Sequence, residues 1–391
     1  MNSKKKFTKC VLCKGKAEHL ITKVKQPTKI FPTKKYKYFF KKNLNIFFCR
    51  KCTYSFQFPI PSNKQIKQFY KDEQSEYTSI INNPILGADK EKEKIDFIKK
   101  NIKKNINSSK LNIIEIGGFD GYTLKEVSKS FKNSKKYLIE PNSIGAKIAK
   151  KNNITVVQSY LNKKSIKDYH NLFDVVICKH VIEHVKDLEN FIYCLTKLIS
   201  NQGILFIETP NLEMIFKKSL TREFILQHLH YFSIKTLNRL FKNFSIKNFK
   251  NTKQENSLIV CFSKRKIKSK LKNINLNTQK FFKNLHKRKK QLNQFCEINK
   301  DKNIWIYGAS SSVNDIFTIY DIKKKNIMGI IDTDLEKTKM RIPIQKDIKI
   351  HSLYDKKIKK DSAIIIVATA KNEVLRSLKI NKFTGPKYIF Q

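Results

Sequence analysis

The stretch at residues 111–121 constrains the fold of this chain more than any other. Its apolar residues 113–116 stop abruptly at a turn that contains Gly117, Gly118 and Gly121. Behind the turn, apolar residues recur at helical spacing. Doubly wound α/β sheets hold nucleotide-like cofactors with a buried strand, a glycine turn and a helix, since glycine lets the backbone approach the ligand closely. The stretch therefore predicts a cofactor-binding α/β domain.

Further apolar runs follow at intervals that suit a parallel sheet with helical crossovers. The next run carries Glu140 at its end, 19 residues beyond Gly121. An acid at that distance is placed to bind the ribose hydroxyls of a cofactor, and a surface glutamate at a strand end is the alternative. The strands predicted after the turn cover residues 137–142, 154–157, 173–178, 203–211 and 258–262.

A second strand, turn and helix begin at residue 303 and include Tyr307-Gly308-Ala309. Two more apolar runs follow at 327–331 and 363–369, and Asp332 ends the first of them. We predict a smaller Rossmann-like domain here, preceded by a Lys-rich helical connector. The predicted units are a cysteine module at 1–62, the main α/β domain at 63–265, the connector at 266–302 and the last domain at 303–391.

Four cysteines near the N-terminus form two Cys-x-x-Cys pairs, separated by 35 residues. Two thiolates from each pair complete a tetrahedral zinc site, and a cytosolic disulfide framework is disfavoured. Four thiolates leave no open position on the metal, so a structural zinc in a zinc-ribbon-like module is predicted, with a redox pair as the weaker alternative. The predicted ligands are Cys10, Cys13, Cys49 and Cys52. The remaining cysteines are predicted to pack in cores, namely Cys178, Cys194, Cys261 and Cys296.

Composition limits the partners. The chain has 391 residues, and 81 Lys and Arg against 32 Asp and Glu give a formal net charge of +49. Lys is spread along the whole chain and Arg is scarce, which is a poor set for reading bases, so we expect no specific nucleic-acid partner. The apolar runs are too short to span a bilayer, and the Lys-rich N-terminus leads into no apolar stretch. A cytoplasmic protein without a membrane partner is therefore expected.

Three features of the main domain coincide: the glycine turn at 115–121, Glu140, and Val181-Ile182-Glu183-His184 after a strand. Together they resemble class I S-adenosylmethionine-dependent methyltransferases rather than NAD enzymes, whose turn reads Gly-x-Gly-x-x-Gly. The resemblance implies that S-adenosylmethionine is the cofactor. The cofactor-binding residues it implies are Glu115, Gly117, Gly118, Gly121, Glu140, Lys179 and His180.

The order of the parts resembles the nucleotide-sugar C-methyltransferases more narrowly, over nearly the full chain. Members of that family combine a four-cysteine module, a central methyltransferase and a C-terminal Rossmann-like domain. They act on nucleotide-linked keto-deoxysugars in antibiotic and surface-polysaccharide pathways, which implies a nucleotide-diphosphate-sugar substrate. The substrate-binding residues implied are Tyr77, Tyr231, Tyr307, Ser310, Asp332 and Lys337.

The resemblance places the chemistry in the cluster at residues 227–233. A keto group acidifies the neighbouring C–H, so a base can form an enolate that attacks the methyl group of the sulfonium. Histidine suits this work near neutral pH. The resemblance implies His228 as the base, Gln227 as the residue that orients it, and His184 as a residue that orients groups or stabilises the enolate.

Two departures from the family pattern leave C- and O-methylation both open. Gln227 stands where the family has Glu, and an amide cannot stabilise an imidazolium as a carboxylate does. The Tyr-Pro-Tyr-like segment of the family is reduced to Tyr77. The sequence is also compatible with a nucleic-acid methyltransferase, with a methyltransferase of a different small molecule, and with a non-catalytic relative that retains the fold.

Overall fold

The computed structural model describes residues 7–24, 43–62, 64, 66, 88–108, 110–252, 256–264, 276–310, 312–340, 342, 347–368 and 371–390. Tyr77, predicted to bind substrate, lies outside these residues. The described strands form three sheets, one five-stranded, one seven-stranded and one five-stranded. The sheets follow one another along the chain as the predicted units do, while the unit boundaries themselves stay predictions. No helix among the described residues is long and apolar enough to cross a membrane.

The N-terminal sheet is antiparallel throughout, in the order β1-β2-β3-β4-β10. The first Cys-x-x-Cys pair lies in the turn after β1, and the second spans the last residue of β3 and the turn that follows. The fifth strand comes from much later in the chain, because residues 230–231 pair with residues 55–56. The bounds are β1 (Phe7–Lys9), β2 (Lys16–Val24), β3 (Asn43–Cys49), β4 (Tyr54–Gln57) and β10 (His230–Tyr231).

The central sheet has the order β11-β12-β9-β8-β5-β6-β7. The pairs from β9 to β7 are parallel, whereas β12 is antiparallel to both of its neighbours. Its strands are β5 (Asn112–Ile116), β6 (Lys135–Ile139), β7 (Thr155–Val157), β8 (Phe173–Lys179), β9 (Ile199–Pro210), β11 (Ser245–Asn251) and β12 (Ser257–Ser263). The predicted α/β fold is confirmed for this part of the chain, and its sheet is mixed rather than wholly parallel because β12 is antiparallel to its neighbours.

Both faces of the central sheet are buried, which explains why its strands read as apolar runs. Val175 and Ile177 of β8 pack into one core, and Val176 and Cys178 pack into another. The strand order reverses between β5 and β8, and ligands bind at the carboxyl edge of such a switch point. The helices of this part are α1 (Ala88–Asn105), α2 (Tyr122–Ser128), α3 (Ser143–Lys151), α4 (Leu188–Leu198), α5 (Leu212–Lys218) and α6 (Ile234–Leu240), with 3-10 turns at Ile182–His184 and Thr221–Glu223.

The C-terminal sheet is parallel throughout, in the order β15-β14-β13-β16-β17. The long helix α7 (Thr278–Ile298) precedes it, at the place where a helical connector was predicted. The strands are β13 (Ile304–Tyr307), β14 (Gly329–Asp332), β15 (Ile350–Ser352), β16 (Ala363–Ile366) and β17 (Lys387–Ile389). The helices are α8 (Ser312–Thr318), α9 (Leu335–Thr338) and α10 (Lys371–Ile380), with a 3-10 turn at Lys324–Asn326.

Candidate active site

The glycine turn after β5 brings main chain and side chains unusually close. Gly117 and Gly121 have φ values of 69° and 75°, a region that side chains rarely adopt. A Cβ on Gly117 would lie 2.6 Å from the side chain of Val181, and one on Gly118 would lie 2.5 Å from the carboxylate of Glu115. The turn is therefore tightly packed against the segment that follows β8.

Glu115 is an acid buried at this turn. It is 3% exposed, and its Oε2 has no hydrogen-bond partner among the described residues. Burial raises the pKa of Glu115 to about 7, against the opposing influence of Lys179. A buried acceptor without a partner is costly, so this carboxylate suits a ligand that brings a positive charge or a donor to the turn.

Glu140 fastens the turn to the second strand of the sheet. Its Oε2 accepts a hydrogen bond from the main-chain N–H of Phe119 at 2.9 Å, and its Oε1 accepts one from Asn142 at 2.7 Å. Burial raises the pKa of Glu140. Each carboxylate oxygen can accept further hydrogen bonds, so the position is compatible with ribose binding, which stays a prediction.

Lys179 and His180, both predicted to bind the cofactor, are already engaged with side chains. Lys179 Nζ donates to Glu91 and, at 3.0 Å, to Thr123 Oγ1. His180 contacts one carboxylate with each ring nitrogen, Glu183 at 3.1 Å and Glu208 at 3.0 Å. Their proposed contacts with a cofactor stay predictions.

His180 lies between two buried acids, and 37% of its side chain is exposed. Desolvation would lower its pKa, but Glu208 and Glu183 raise it to about 10. Lys94 is buried and contacts Glu91 at 2.8 Å and Glu208 at 2.9 Å. These partners were not predicted from the sequence. Glu208 had a signal, because it ends the apolar run of β9, whereas nothing marked Lys94 within its Lys-rich helix.

A cluster of one acid and two histidines forms where two distant segments meet. Glu183 and His184 lie in the 3-10 turn after β8, and His228 lies shortly before β10. One ligand atom from each lies within 4.8 Å of the others, and the two imidazole centroids are 5.0 Å apart. The segments are fastened together by the Leu229 N–H, which donates to the main-chain oxygen of Glu183 at 2.8 Å.

Main-chain carbonyls orient both histidines of this cluster. Nδ1 of His184 lies 3.0 Å from the carbonyl oxygen of Gln227, and Nδ1 of His228 lies 3.3 Å from that of Glu223. A carbonyl only accepts, so each Nδ1 carries the hydrogen and each Nε2 presents a lone pair. Glu223 thus supplies an orienting contact for His228, and the role predicted for the Gln227 side chain stays a prediction.

Burial sets the charges in the cluster. It lowers the pKa of His184. Burial, together with the repulsion between the two rings when both are protonated, lowers the pKa of His228 to about 3. Burial would raise the pKa of Glu183, but the hydrogen bond from His180 and the nearby histidines lower it to about 2. At neutral pH the cluster therefore holds one carboxylate and two neutral imidazoles.

The neighbours of His228 lock its segment to the cysteine module. His230 Nε2 donates to the carbonyl of Val185 at 2.7 Å, so its Nδ1 accepts from the hydroxyl of Tyr54. Tyr231 is fully buried, and its hydroxyl contacts the main-chain N–H of Ile225 at 3.2 Å. Tyr231 packs against His228, with ring centroids 5.9 Å apart. Its observed contacts position the segment, and the predicted substrate contact stays a prediction.

The four N-terminal cysteines converge. Their sulfur atoms all lie within 4.8 Å of one another, and Cys13 Sγ lies 3.7 Å from Cys49 Sγ. Thiolates about 2.3 Å from a tetrahedral zinc ion are about 3.8 Å apart, so the spacing fits zinc. Burial acts to raise the pKa of Cys13, but hydrogen bonds from the other thiols lower it to about 7.

The C-terminal sheet has a comparable edge. Gly308 has a φ of 110°, and Ala309 N–H donates to Asp332 Oδ2 at 2.8 Å. Lys337 Nζ pairs with the same oxygen at 3.0 Å. Tyr307 lies buried at the end of β13, and Ser310 Oγ has no hydrogen-bond partner among the described residues. Four of the predicted substrate-binding residues thus lie along one edge.

Residues 87–253 match the family model of a methyltransferase domain. The matched residues are a methyltransferase domain, and they make up less than half of the 391-residue chain. Part of the chain is similar to the ubiquinone biosynthesis O-methyltransferase of Rickettsia prowazekii (strain Madrid E), with 30% identity over 130 residues, or 30% of this chain and 48% of that one. The protein of the same name from Rickettsia typhi (strain ATCC VR-144 / Wilmington) is 35% identical over 123 residues, or 30% and 49%.

The chain thus spans about half the length of the curated relatives it matches. A solved structure similar to the methyltransferase domain is an S-adenosylmethionine-dependent methyltransferase, possible histamine N-methyltransferase, from Thermotoga maritima. It has a TM-score of 0.36 and 16% identity, and the match covers 47% of this chain and 96% of that one.

Proposed function

We propose that the protein transfers a methyl group from S-adenosylmethionine to a carbon atom of a nucleotide-linked keto-deoxysugar, in surface-polysaccharide or related sugar biosynthesis. The supporting observation is the cluster of Glu183, His184 and His228, which lies beside the glycine turn. Val181 links the two, because it packs against Gly117 and begins the turn that carries Glu183.

The glycine turn and its two acids fit the cofactor. The free carboxylate oxygen of Glu115 suits the ammonium of the methionine part, and Glu140 at the end of β6 suits the ribose hydroxyls. When bound, S-adenosylmethionine supplies a methyl group on a positively charged sulfur. The glycines allow the close approach, since a Cβ at Gly118 would occupy the space beside Glu115.

His228 is the proposed base. Its Nδ1–H is held by the carbonyl of Glu223, so the Nε2 lone pair is the one that can accept the proton from the carbon next to the keto group. The imidazolium formed needs a nearby negative charge, which Gln227 does not provide. Glu183 belongs to the same cluster and is ionised, so it takes the place of the carboxylate that the sugar C-methyltransferase pattern has at position 227.

The edge of the C-terminal sheet is the proposed holder of the nucleotide. Asp332, Lys337 and Ser310 offer an acid, a cation and a hydroxyl along one edge, at the switch point between β13 and β16. Tyr307 adds an aromatic ring there. The high positive charge of the chain favours encounter with a diphosphate.

Isotope exchange tests the base directly. Wild-type protein is incubated in D2O with S-adenosylhomocysteine and a panel of nucleotide-4-keto sugars, and then S-adenosylmethionine is added. We expect deuterium to enter next to the keto group before methylation, and the product to gain one methyl on carbon by NMR. His228→Ala should abolish both events. Failure of every sugar in the panel to exchange and to be methylated would contradict the proposal.

O-methylation is a second candidate function, favoured by the two relatives whose names denote ubiquinone biosynthesis O-methyltransferases and by Gln227. His228 would then remove a hydroxyl proton, and no carbon-bound deuterium would appear. Hydroxylated aromatic acceptors and hydroxyl groups of the sugars should be methylated on oxygen. A protein that fails to bind S-adenosylmethionine in calorimetry would support a non-catalytic role, and a salt-sensitive RNA affinity above that of generic basic proteins would support a nucleic-acid substrate.

We also propose that Cys10, Cys13, Cys49 and Cys52 hold a structural zinc ion. Purified protein should contain one zinc bound by thiolates, and Cys49→Ser should lose it. Because β10 is part of the same sheet, zinc loss should also alter the segment that carries His228, and not residues 1–62 alone. Hydrogen exchange that stays unchanged at residues 227–231 after zinc removal would show that the two are independent.

A further inference from the structure

The carboxylate of Glu183 has one oxygen that contacts no hydrogen-bond donor among the described residues. The side chain is fully buried, and its Oε1 faces His180 at 3.1 Å. Its Oε2 has no hydrogen-bond partner among the described residues. A buried carboxylate oxygen without a donor is unfavourable, so this position suits a cation or a hydrogen-bond donor.

The two histidines face the same place with lone pairs. Because both Nδ1–H groups are directed to main-chain carbonyls, neither His184 nor His228 points a ring hydrogen into the cluster. Nε2 of His184 lies 4.0 Å from Glu183 Oε1. Histidines that bind metals commonly donate their other ring N–H to a carbonyl in this way, which fixes the ring and its tautomer.

We propose that the substrate-free protein binds one divalent transition-metal ion through Glu183, His184 and His228. Two imidazoles and one carboxylate favour zinc or cobalt over magnesium, which prefers oxygen ligands. Ligand atoms about 2.1 Å from a tetrahedral ion lie about 3.4 Å apart. The ligand atoms of the cluster all lie within 4.8 Å of one another, so side-chain movements of about an ångström or less bring them to that spacing. Three protein ligands leave a fourth position open.

A bound metal ion and the substrate proton compete for the Nε2 lone pair of His228. The Nε2 lone pair of His228 cannot bind a metal and accept a proton at once, so a bound ion should block methyl transfer. This consequence rests on the proposed function, whereas the binding of the ion does not. The acceptor would have to displace the ion before the reaction.

Cobalt titration separates this site from the cysteine site. Full-length protein with zinc already on the cysteines is titrated with Co²⁺ and, in calorimetry, with Zn²⁺. We expect one additional equivalent, with the weak visible absorption of nitrogen and oxygen ligands and without thiolate-to-cobalt charge transfer. His184→Ala and His228→Ala should each weaken this binding by more than about 10-fold. His170→Ala is the matched control, since His170 is exposed, and it should bind as wild type does.

The outcomes are distinct. Absence of the additional equivalent would overturn the site, as would binding that persists unchanged in both His184→Ala and His228→Ala. Circular dichroism and retained thiolate-bound zinc show that the variants are folded. If Zn²⁺ binds there but raises the methylation rate, the blocking role is wrong. If the additional ion binds but the protein without that ion methylates none of the acceptors, the metal site stands and the proposed function fails.

Discussion

The two α/β sheets end in turns of the same construction. In the central sheet, the acid after the second strand, Glu140, accepts one N–H from the glycine turn and another from two residues further along. In the C-terminal sheet Asp332 does the same, with Ala309 of the turn and with Asp334 at 3.0 Å. The acid at the end of the second strand therefore holds the turn in place in both sheets, whatever else it binds.

The surroundings of the two turns differ. The central turn packs against a segment that contributes Glu183, His184 and, through the Leu229 contact, His228. At the C-terminal turn, Asp332 instead forms an ion pair with Lys337. The shared main-chain arrangement is the reason why we propose nucleotide-like ligands at both edges. The side chains beyond it are the reason why we propose the chemistry only at the central edge.

Removal of the base should give the largest effect. His228→Ala is expected to lower kcat by about 10²- to 10⁴-fold, because proton transfer to a positioned base contributes about that much. Ser310→Ala, at the other edge, should leave kcat unchanged and raise KM for the nucleotide-linked acceptor. Steady-state kinetics on both variants measure this contrast. An equal fall of kcat in Ser310→Ala would mean that the chemistry is not confined to the central edge.

Substitutions of Glu140 and Asp332 should affect different ligands, the cofactor and the acceptor respectively. Glu140→Gln should weaken S-adenosylhomocysteine binding, and Asp332→Asn should raise KM for the acceptor, each by roughly 10- to 100-fold, since hydrogen bonds to charged groups contribute about 1.5–3 kcal/mol. Each change should alter the other ligand by less than about threefold. Calorimetry and kinetics provide the two readouts. If Asp332→Asn weakens the cofactor instead, the division of labour between the sheets is wrong.

Alanine substitutions at Gly117 and Gly308 compare how rigid the surroundings of the two turns are. A Cβ at Gly308 would meet the main-chain nitrogen of Ala368 at 2.8 Å, whereas one at Gly117 would meet a side-chain methyl of Val181 at 2.6 Å. Main-chain atoms can move away from a new Cβ less easily than a side-chain methyl can. Gly308→Ala should therefore lower the free energy of unfolding by about 1–3 kcal/mol, and Gly117→Ala should lower it by less. Denaturant unfolding measures both. The reverse order would show that the central turn is the more rigid one.

Mild acid should lower the stability of the protein through protonation of His230. Burial lowers the pKa of His230 to about 4, below its ordinary value of 6.5, so the unfolded chain binds this proton more readily. Stability therefore falls as the pH drops from 6.5 towards 4, by roughly 1 kcal/mol at pH 6 from this group. His230→Gln should show a weaker pH dependence in unfolding experiments, and Asp332→Asn should keep that of the wild type. An unchanged dependence in His230→Gln would assign the effect to other groups.

The sequence predicts nine of the twelve described strands of the two α/β sheets, because strands buried on both faces are apolar runs that end at glycines or acids. It does not predict β11, β15 and β17, which lie at sheet edges. Glu140 and Asp332 lie where that pattern put them. The partners of Lys179 and His180 were not predictable, because an ion pair between Glu91 and Lys179 depends on how α1 packs over the sheet. Strand β10 was missed as well, since two residues are too short to show a period of two.

The pairing of β10 with β4 bears on how the chain folds during synthesis. Tyr54 and His230, which meet across this pairing, are 176 positions apart along the chain. At about 5–20 residues per second, the ribosome needs roughly 10–35 s to deliver the fifth strand after β4 has emerged. Until then the nascent cysteine module presents an unpaired strand edge, which is an open site for wrong pairing or for chaperones. Completion of that edge and assembly of the segment that carries His228 are thus a single folding event.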